Sequence, residues 1–73
     1  MKVHIPKHAE YRLIERGIDI DKIKQTIHSP DKRVPQFNGR TKVEKKLQEG
    51  QKLYVIYIEE KNKFVIITAY YEN

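Results

Sequence analysis

Apolar residues recur at helical spacing in the first part of the chain, which is typical of amphipathic helices. The two series are Ala9, Leu13 and Ile14, followed by Ile20, Ile23 and Ile27. Gly17 suits the left-handed position just after a helix, and Pro30 disfavours helical geometry in the residue before it. The pattern therefore predicts one helix over residues 6–16 and a second over residues 20–28.

The rest of the chain has the alternation and the turn signals of β-strands. Asn38-Gly39 favours a tight hairpin turn in which both residues have positive φ, and Gly50 and Lys61-Asn62 mark two further turns. The predicted strands cover residues 32–37, 40–48, 52–59 and 63–71. Consecutive hairpins form an antiparallel meander. We therefore expect a single α+β domain, with both helices packed on one face of a three- to four-stranded antiparallel sheet.

Both faces of the last two predicted strands are apolar. In the third strand Leu53, Val55 and Tyr57 alternate with Tyr54, Ile56 and Ile58, and in the fourth Phe64, Ile66, Thr68 and Tyr70 alternate with Val65, Ile67, Ala69 and Tyr71. One pair of helices covers only one face of a sheet. The other face is thus predicted to be a groove, a homodimer interface or a tyrosine-rich platform.

Composition narrows the classes of protein that the chain can represent. Its 73 residues suffice for one small domain, and the absence of cysteine excludes disulfides, thiol catalysis and cysteine-ligated metals. The apolar runs are much shorter than the roughly 20 residues of a membrane helix, and the first residues do not resemble a signal peptide. We therefore expect a cytoplasmic protein that does not enter a membrane.

The basic residues are concentrated in one segment. Residues 32–46 contain six Lys and Arg residues and a single acidic residue, Glu44, so this segment accounts for the whole net charge of +5. Clustered basic side chains are what phosphate contacts require. The candidate nucleic-acid contacts are Arg33, Arg40, Lys42, Lys45 and Lys46. The alternative is a solvated hairpin whose charges protect an exposed sheet edge from aggregation.

A second candidate site lies on the first predicted helix. His8, Arg12 and Arg16 are spaced four residues apart and form a ridge beside the apolar stripe. An imidazole can exchange protons near neutral pH, and guanidinium groups bind phosphate in a bidentate way. The alternative is a polar helix face on which the arginines pair with Glu15 or with strand residues. No cluster of His and carboxylate residues has the spacing of a metal site.

The order of motifs along the chain resembles a known family. Residues 8–18 read His-Ala-x-x-Arg-x-x-x-Arg-Gly-Ile. Gly39-Arg40, Gly50-x-x-Leu-Tyr-Val-Ile and Ile67-Thr-Ala-Tyr follow. This sequence is similar to a family of small bacterial and archaeal domains of unknown function. By fold, that family is grouped with the RelE/ParE and BrnT toxins, and more broadly with barnase-like and colicin-like ribonucleases.

The resemblance implies a fold and an activity for the chain. The fold would be two N-terminal helices on a four-stranded antiparallel sheet, and the activity would be metal-independent RNA cleavage by a ribose 2′-hydroxyl, with no cofactor. His8 would be the general base or acid, and Arg12 or Arg16 would stabilise the phosphorane. Arg40 would contact phosphate, and Thr68 with Tyr70 would complete the site. The implied partners are RNA and a cognate antitoxin.

Three hypotheses about function follow. The first is a toxin-like endoribonuclease with a groove between the first helix, the basic hairpin and the end of the last strand. The second is an RNA-binding module without catalysis, for which Lys45 and Lys46 matter most. The third is a protein-interaction domain that uses the open face of the sheet.

Overall fold

The computed structural model describes residues 2–48 and 50–72 and has an α+β architecture. Two helices pack on one face of a five-stranded sheet. In chain order the elements are β1 (Lys2–His4), α1 (Lys7–Glu15), α2 (Ile20–His28), β2 (Lys32–Pro35), β3 (Arg40–Lys46), β4 (Lys52–Glu60) and β5 (Lys63–Glu72). The structure thus confirms two helices packed on one face of a sheet.

The corner between the helices has the capping interactions that the sequence predicts. Gly17 has a φ of 66°, and the backbone N–H of Ile18 donates to the carbonyl of Leu13 over 2.9 Å. This bond is the one that defines a Schellman motif. Asp19 then begins α2, because its side chain accepts a hydrogen bond from the backbone N–H of Asp21 at 3.0 Å. The two helices therefore begin and end within one residue of their predicted bounds.

The sheet differs from the prediction in strand number and in direction. Its order is β1-β5-β4-β3-β2, and β1 runs parallel to β5 while all other neighbours are antiparallel. The predicted three- to four-stranded antiparallel sheet is therefore wrong, and the observed sheet is mixed. A strand of three residues is too short to show alternation. In addition, β1 pairs with the far end of the chain, where Val3 lies opposite Phe64.

A β-bulge in β5 changes which residues share a face. Val55 pairs with Ala69, but Tyr57 pairs with Ile66, so β5 carries one residue more than β4 over this stretch. Ile66 and Ala69 are both fully buried toward the helices. The prediction that Thr68 shares a face with Ile66 is therefore wrong, because the extra residue reverses the alternation between them.

The hairpin between β2 and β3 has the predicted turn, but its strands are shorter than predicted. Asn38 and Gly39 have φ values of 61° and 73°, as a turn with two left-handed residues requires. β2 ends at Pro35, which has no N–H to donate, and it is an edge strand as its proline predicts. β3 ends at Lys46, two residues before its predicted end.

The core lies between the helices and the centre of the sheet. Its buried members are Leu13, Ile18, Ile23, Ile27, Val43, Leu53, Val55, Tyr57, Phe64, Ile66 and Ala69. The opposite face of the sheet has no helix over it among the described elements, and Ile56, Ile58 and Val65 there are only half-buried. In the described part of the chain, neither helix has the length or apolar character to span a membrane.

Packing of α2 on the sheet can be tested with two isoleucines of the same helix. Ile23 is fully buried, whereas Ile20 is 45% exposed. We expect Ile23→Val to lower the free energy of unfolding by about 0.5–1.5 kcal/mol, because a buried methyl group is lost. Ile20→Val should change it by less than about 0.5 kcal/mol. Urea denaturation measures both, and equal losses would contradict this packing of α2.

Candidate functional site

Arg16 joins the end of α1 to the edge of β5. One terminal nitrogen of its guanidinium donates to the backbone carbonyl of Ala69 at 2.7 Å and to the hydroxyl of Thr68 at 3.2 Å. The contact spans more than 50 residues of sequence. Two of the predicted site residues, Arg16 and Thr68, are therefore in direct contact.

The position of this contact follows from the short first strand. β1 pairs with β5 only as far as Val65, so β1 leaves the later residues of β5 without a strand neighbour on that side. A backbone carbonyl at such an edge needs a donor from a side chain or from water. Arg16 supplies that donor to Ala69. The guanidinium carries five N–H donors, so this contact leaves others available to a ligand.

His8 and Arg12 lie earlier along the ridge that ends at Arg16. Both side chains are exposed, and Ala9 and Leu13 beside them are buried against the sheet. Within the described residues, neither His8 nor Arg12 forms a hydrogen bond or salt bridge through its side chain, and no salt bridge to Glu15 is present. The predicted ridge thus has one end fixed on β5, and its other two side chains face solvent.

Tyr70 lies on the open face of the sheet, two residues after Thr68 on β5. It pairs with Tyr54 across β4 and β5, and the two rings stack with centroids 5.1 Å apart. The ammonium of Lys42 lies 4.7 Å from the centroid of Tyr54 and 6.0 Å from that of Tyr70. These contacts place Tyr70 in an aromatic cluster on the open face, where its ring packs against Tyr54.

Tyr54 is the residue of this cluster that the sequence analysis did not single out. It is nearly fully buried, and that burial is the main cause that raises the pKa of its phenol. The nearby carboxylates of Glu72 and Glu44 add to the effect. Burial also raises the pKa of Tyr57 on the core side, against a smaller opposing effect of Arg33. Strand alternation predicts which face of the sheet Tyr54 occupies, but only the strand register identifies its neighbours.

The predicted RNA contacts are divided between the two faces of the β2–β3 hairpin. Arg40 and Lys42 lie opposite Ile58 and Ile56, on the open face. Arg33 lies opposite the buried Val43, on the helix side. They therefore do not form one flat basic surface, because alternate residues of a strand point to opposite faces.

The two lysines at the end of β3 have local partners. The ammonium of Lys45 donates to the backbone carbonyl of Ser29 at 2.7 Å, just after the end of α2. The backbone N–H of Lys46 donates to the carboxylate of Asp31 at 2.7 Å. Both bonds fix the end of β3 to the segment that follows α2. In the part of the chain that the structure describes, no three His, Asp or Glu residues are close enough together to hold a metal ion.

The sequence profile of one family matches the chain. The family is described as a domain of unknown function (DUF4258), and the match covers residues 5–71. It begins directly after β1 and includes both helices and nearly all of the remaining strands. No curated protein and no solved structure matches the chain. The match is consistent with the predicted membership in a family of small domains of unknown function.

The contact of Arg16 with the edge of β5 can be measured as stability. We expect Arg16→Ala to lower the free energy of unfolding by about 1 kcal/mol, because the carbonyl of Ala69 loses a charged donor in a partly buried position. Arg12→Ala removes the same side chain from the same ridge and should change the free energy by less than about 0.5 kcal/mol. Urea denaturation would contradict the assignment if both variants lost the same amount.

The raised pKa of Tyr54 predicts a dependence on alkaline pH. The folded chain keeps the phenolic proton to higher pH than the unfolded chain, so this contribution to stability is complete below about pH 10 and is lost as the pH rises through the folded pKa. In a titration of tyrosinate absorbance, Tyr54→Phe should lose part of the ionisation that occurs above the ordinary pH range of tyrosine ionisation. A Tyr54→Phe variant that keeps all of this ionisation would contradict the assignment.

Proposed function

The chain belongs to the DUF4258 family of domains of unknown function, and within this family we propose that it is a small toxin-like RNA-binding domain that cleaves RNA without a metal ion. The observation that carries the proposal is the contact between Arg16 and Thr68. It joins the ridge of α1 to the end of the last strand, where the resemblance to the RelE/ParE and BrnT toxins implies a site. A guanidinium in this position has donors left for a phosphate.

The distribution of charge supports RNA as the partner. The hairpin of β2 and β3 forms one edge of the sheet and carries the basic segment, and every residue from 31 to 40 is exposed. Clustered lysine and arginine side chains in solvent attract a polyanion and bind it through its phosphates. The hairpin then supplies affinity, and the ridge of α1 supplies the chemistry.

The cleavage step that we propose needs a base and a stabilised phosphorane. The imidazole of His8 takes the proton of a ribose 2′-hydroxyl, whose oxygen forms a bond to the adjacent phosphorus. The bond from phosphorus to the 5′-oxygen breaks, and that oxygen takes a proton from water. The guanidinium groups of Arg12 and Arg16 stabilise the charge that develops on the phosphorane. The products are a 2′,3′-cyclic phosphate and a 5′-hydroxyl.

A second candidate function is protein interaction, and the open face of the sheet favours it. Ile56, Ile58 and Val65 are half-buried there, and no helix among the described elements covers them. An apolar sheet face of this kind suits a second copy of the chain or a partner such as a cognate antitoxin. This function does not exclude RNA binding at the hairpin edge.

Cleavage can be tested with two histidines that are both exposed at helical positions. Purified protein is incubated in EDTA with a labelled single-stranded RNA of mixed sequence, beside His8→Gln and His28→Gln. We expect fragments that end in 2′,3′-cyclic phosphate, and we expect His8→Gln to slow their formation by about 10² to 10⁴ because the general base is lost. His28→Gln should cut at the rate of the unchanged protein.

Binding is measured with the same RNA as a function of salt. If five phosphates are neutralised, the logarithm of the affinity should fall with the logarithm of the salt concentration at a slope of about −3.5. If the RNA binds with this slope but is not cut, the result contradicts the proposed cleavage and supports RNA binding. RNA that neither binds nor is cut would contradict the proposal, and the protein-interaction function would then be preferred.

A further inference from the structure

A cavity of about 310 Å³ lies between α2 and the connection from β3 to β4. Lys22 and Gln25 line it from the helix, and Lys45 and Gln51 line it from the strand side. None of the ridge residues of α1 contributes to it. The cavity is therefore a separate place on the molecule from the cleavage site proposed above.

The lining of the cavity is rich in hydrogen-bond donors and in positive charge. Three lysines, Lys22, Lys45 and Lys46, and three glutamines, Gln25, Gln48 and Gln51, surround it. The remaining described lining residue is Leu47, and Glu49 of the same connection lies outside the described residues. The nearby carboxylate of Asp31 is held by the backbone N–H of Lys46 and is not part of the lining. A site of this composition attracts an anion.

Lys45 is the lysine whose position the fold fixes best. Its ammonium donates to the carbonyl of Ser29 at 2.7 Å, which holds the side chain on the helix side of the sheet. An ammonium has three donors, so this bond leaves two for a ligand. Lys22 lies across the cavity on α2 and forms no salt bridge with a described carboxylate. Two amines from different elements therefore converge on one space.

We propose that this cavity binds a phosphorylated ligand of single-nucleotide size, with Lys22 and Lys45 on its phosphate. The volume is at the small end of the range of small-molecule sites, which suits one nucleotide and not a longer segment. The amides of the three glutamines offer both donors and acceptors to the polar groups of a base or ribose. The ligand is either a free nucleotide or one nucleotide of an RNA strand, and only the second source would extend the proposed function.

The test uses AMP as the probe and the isotope-labelled full chain observed by NMR. We expect AMP to shift the backbone signals of Gln25, Leu47 and Gln51. Lys22→Gln should weaken this binding at least about tenfold, because a charged hydrogen bond to phosphate is lost. Lys24→Gln removes an equal charge from an exposed position of the same helix that does not line the cavity, and it should leave AMP binding unchanged.

Adenosine and a short single-stranded RNA complete the experiment. Adenosine that binds as well as AMP would overturn the proposal, because the phosphate would then not be recognised. The proposal would also be overturned if AMP did not bind in the millimolar range and Lys22→Gln did not alter RNA binding. In that case the RNA-binding function would still stand. RNA that displaces AMP and is weakened by Lys22→Gln supports the proposal with the strand as source. AMP binding without RNA binding supports a free nucleotide and contradicts the RNA function.

Discussion

Burial of one face of β4 is the constraint on which the rest of the structure depends. Leu53, Val55 and Tyr57 are at most 1% exposed, and Ile23 and Ile27 of α2 pack in the same cluster. The described residues form two α-helices, and both lie on this face of the sheet. The opposite face therefore keeps half-buried isoleucines and a stacked pair of tyrosines.

The shortness of β1 has a second consequence at the edge of β5. Three residues pair with the first part of β5, and beyond them Arg16 supplies a donor to the strand edge from the end of α1. The same side chain therefore stabilises the fold and stands at the end of the candidate catalytic ridge. Loss of activity in an Arg16 variant would mix these two roles. His8 and Arg12 have no such contact among the described residues. Variants of these two residues therefore distinguish a loss of catalysis from a loss of stability.

Residues that lie close together in the sequence predicted the helices and the turns. The features that were not predicted depend on pairing between residues far apart in the chain. Gly17, Pro30 and Asn38-Gly39 act within a few residues, so the helices and the first hairpin could be located from the sequence. β1 has no pattern of its own, and its partner lies at the other end of the chain. The bulge in β5 occurs within an apolar run that contains no glycine or proline to mark it. Helical spacing placed Arg16 on one ridge with His8 and Arg12, and Thr68 was named only from the family resemblance. The contact between Arg16 and Thr68, like the stacking of Tyr70 on Tyr54, is visible only in the folded structure.

Strand alternation also determines what kind of polyanion the basic hairpin would suit. Lys42 lies on the open face and Lys45 on the helix side, where its ammonium contacts Ser29 beside the polar cavity. A rigid duplex presents its phosphates along fixed lines and would reach only one of these faces at a time. A single strand can bend around the edge formed by β2 and β3, because its backbone is flexible and its bases are unpaired. If RNA is the ligand, the geometry of the hairpin favours a single-stranded segment that passes from one face of the sheet to the other.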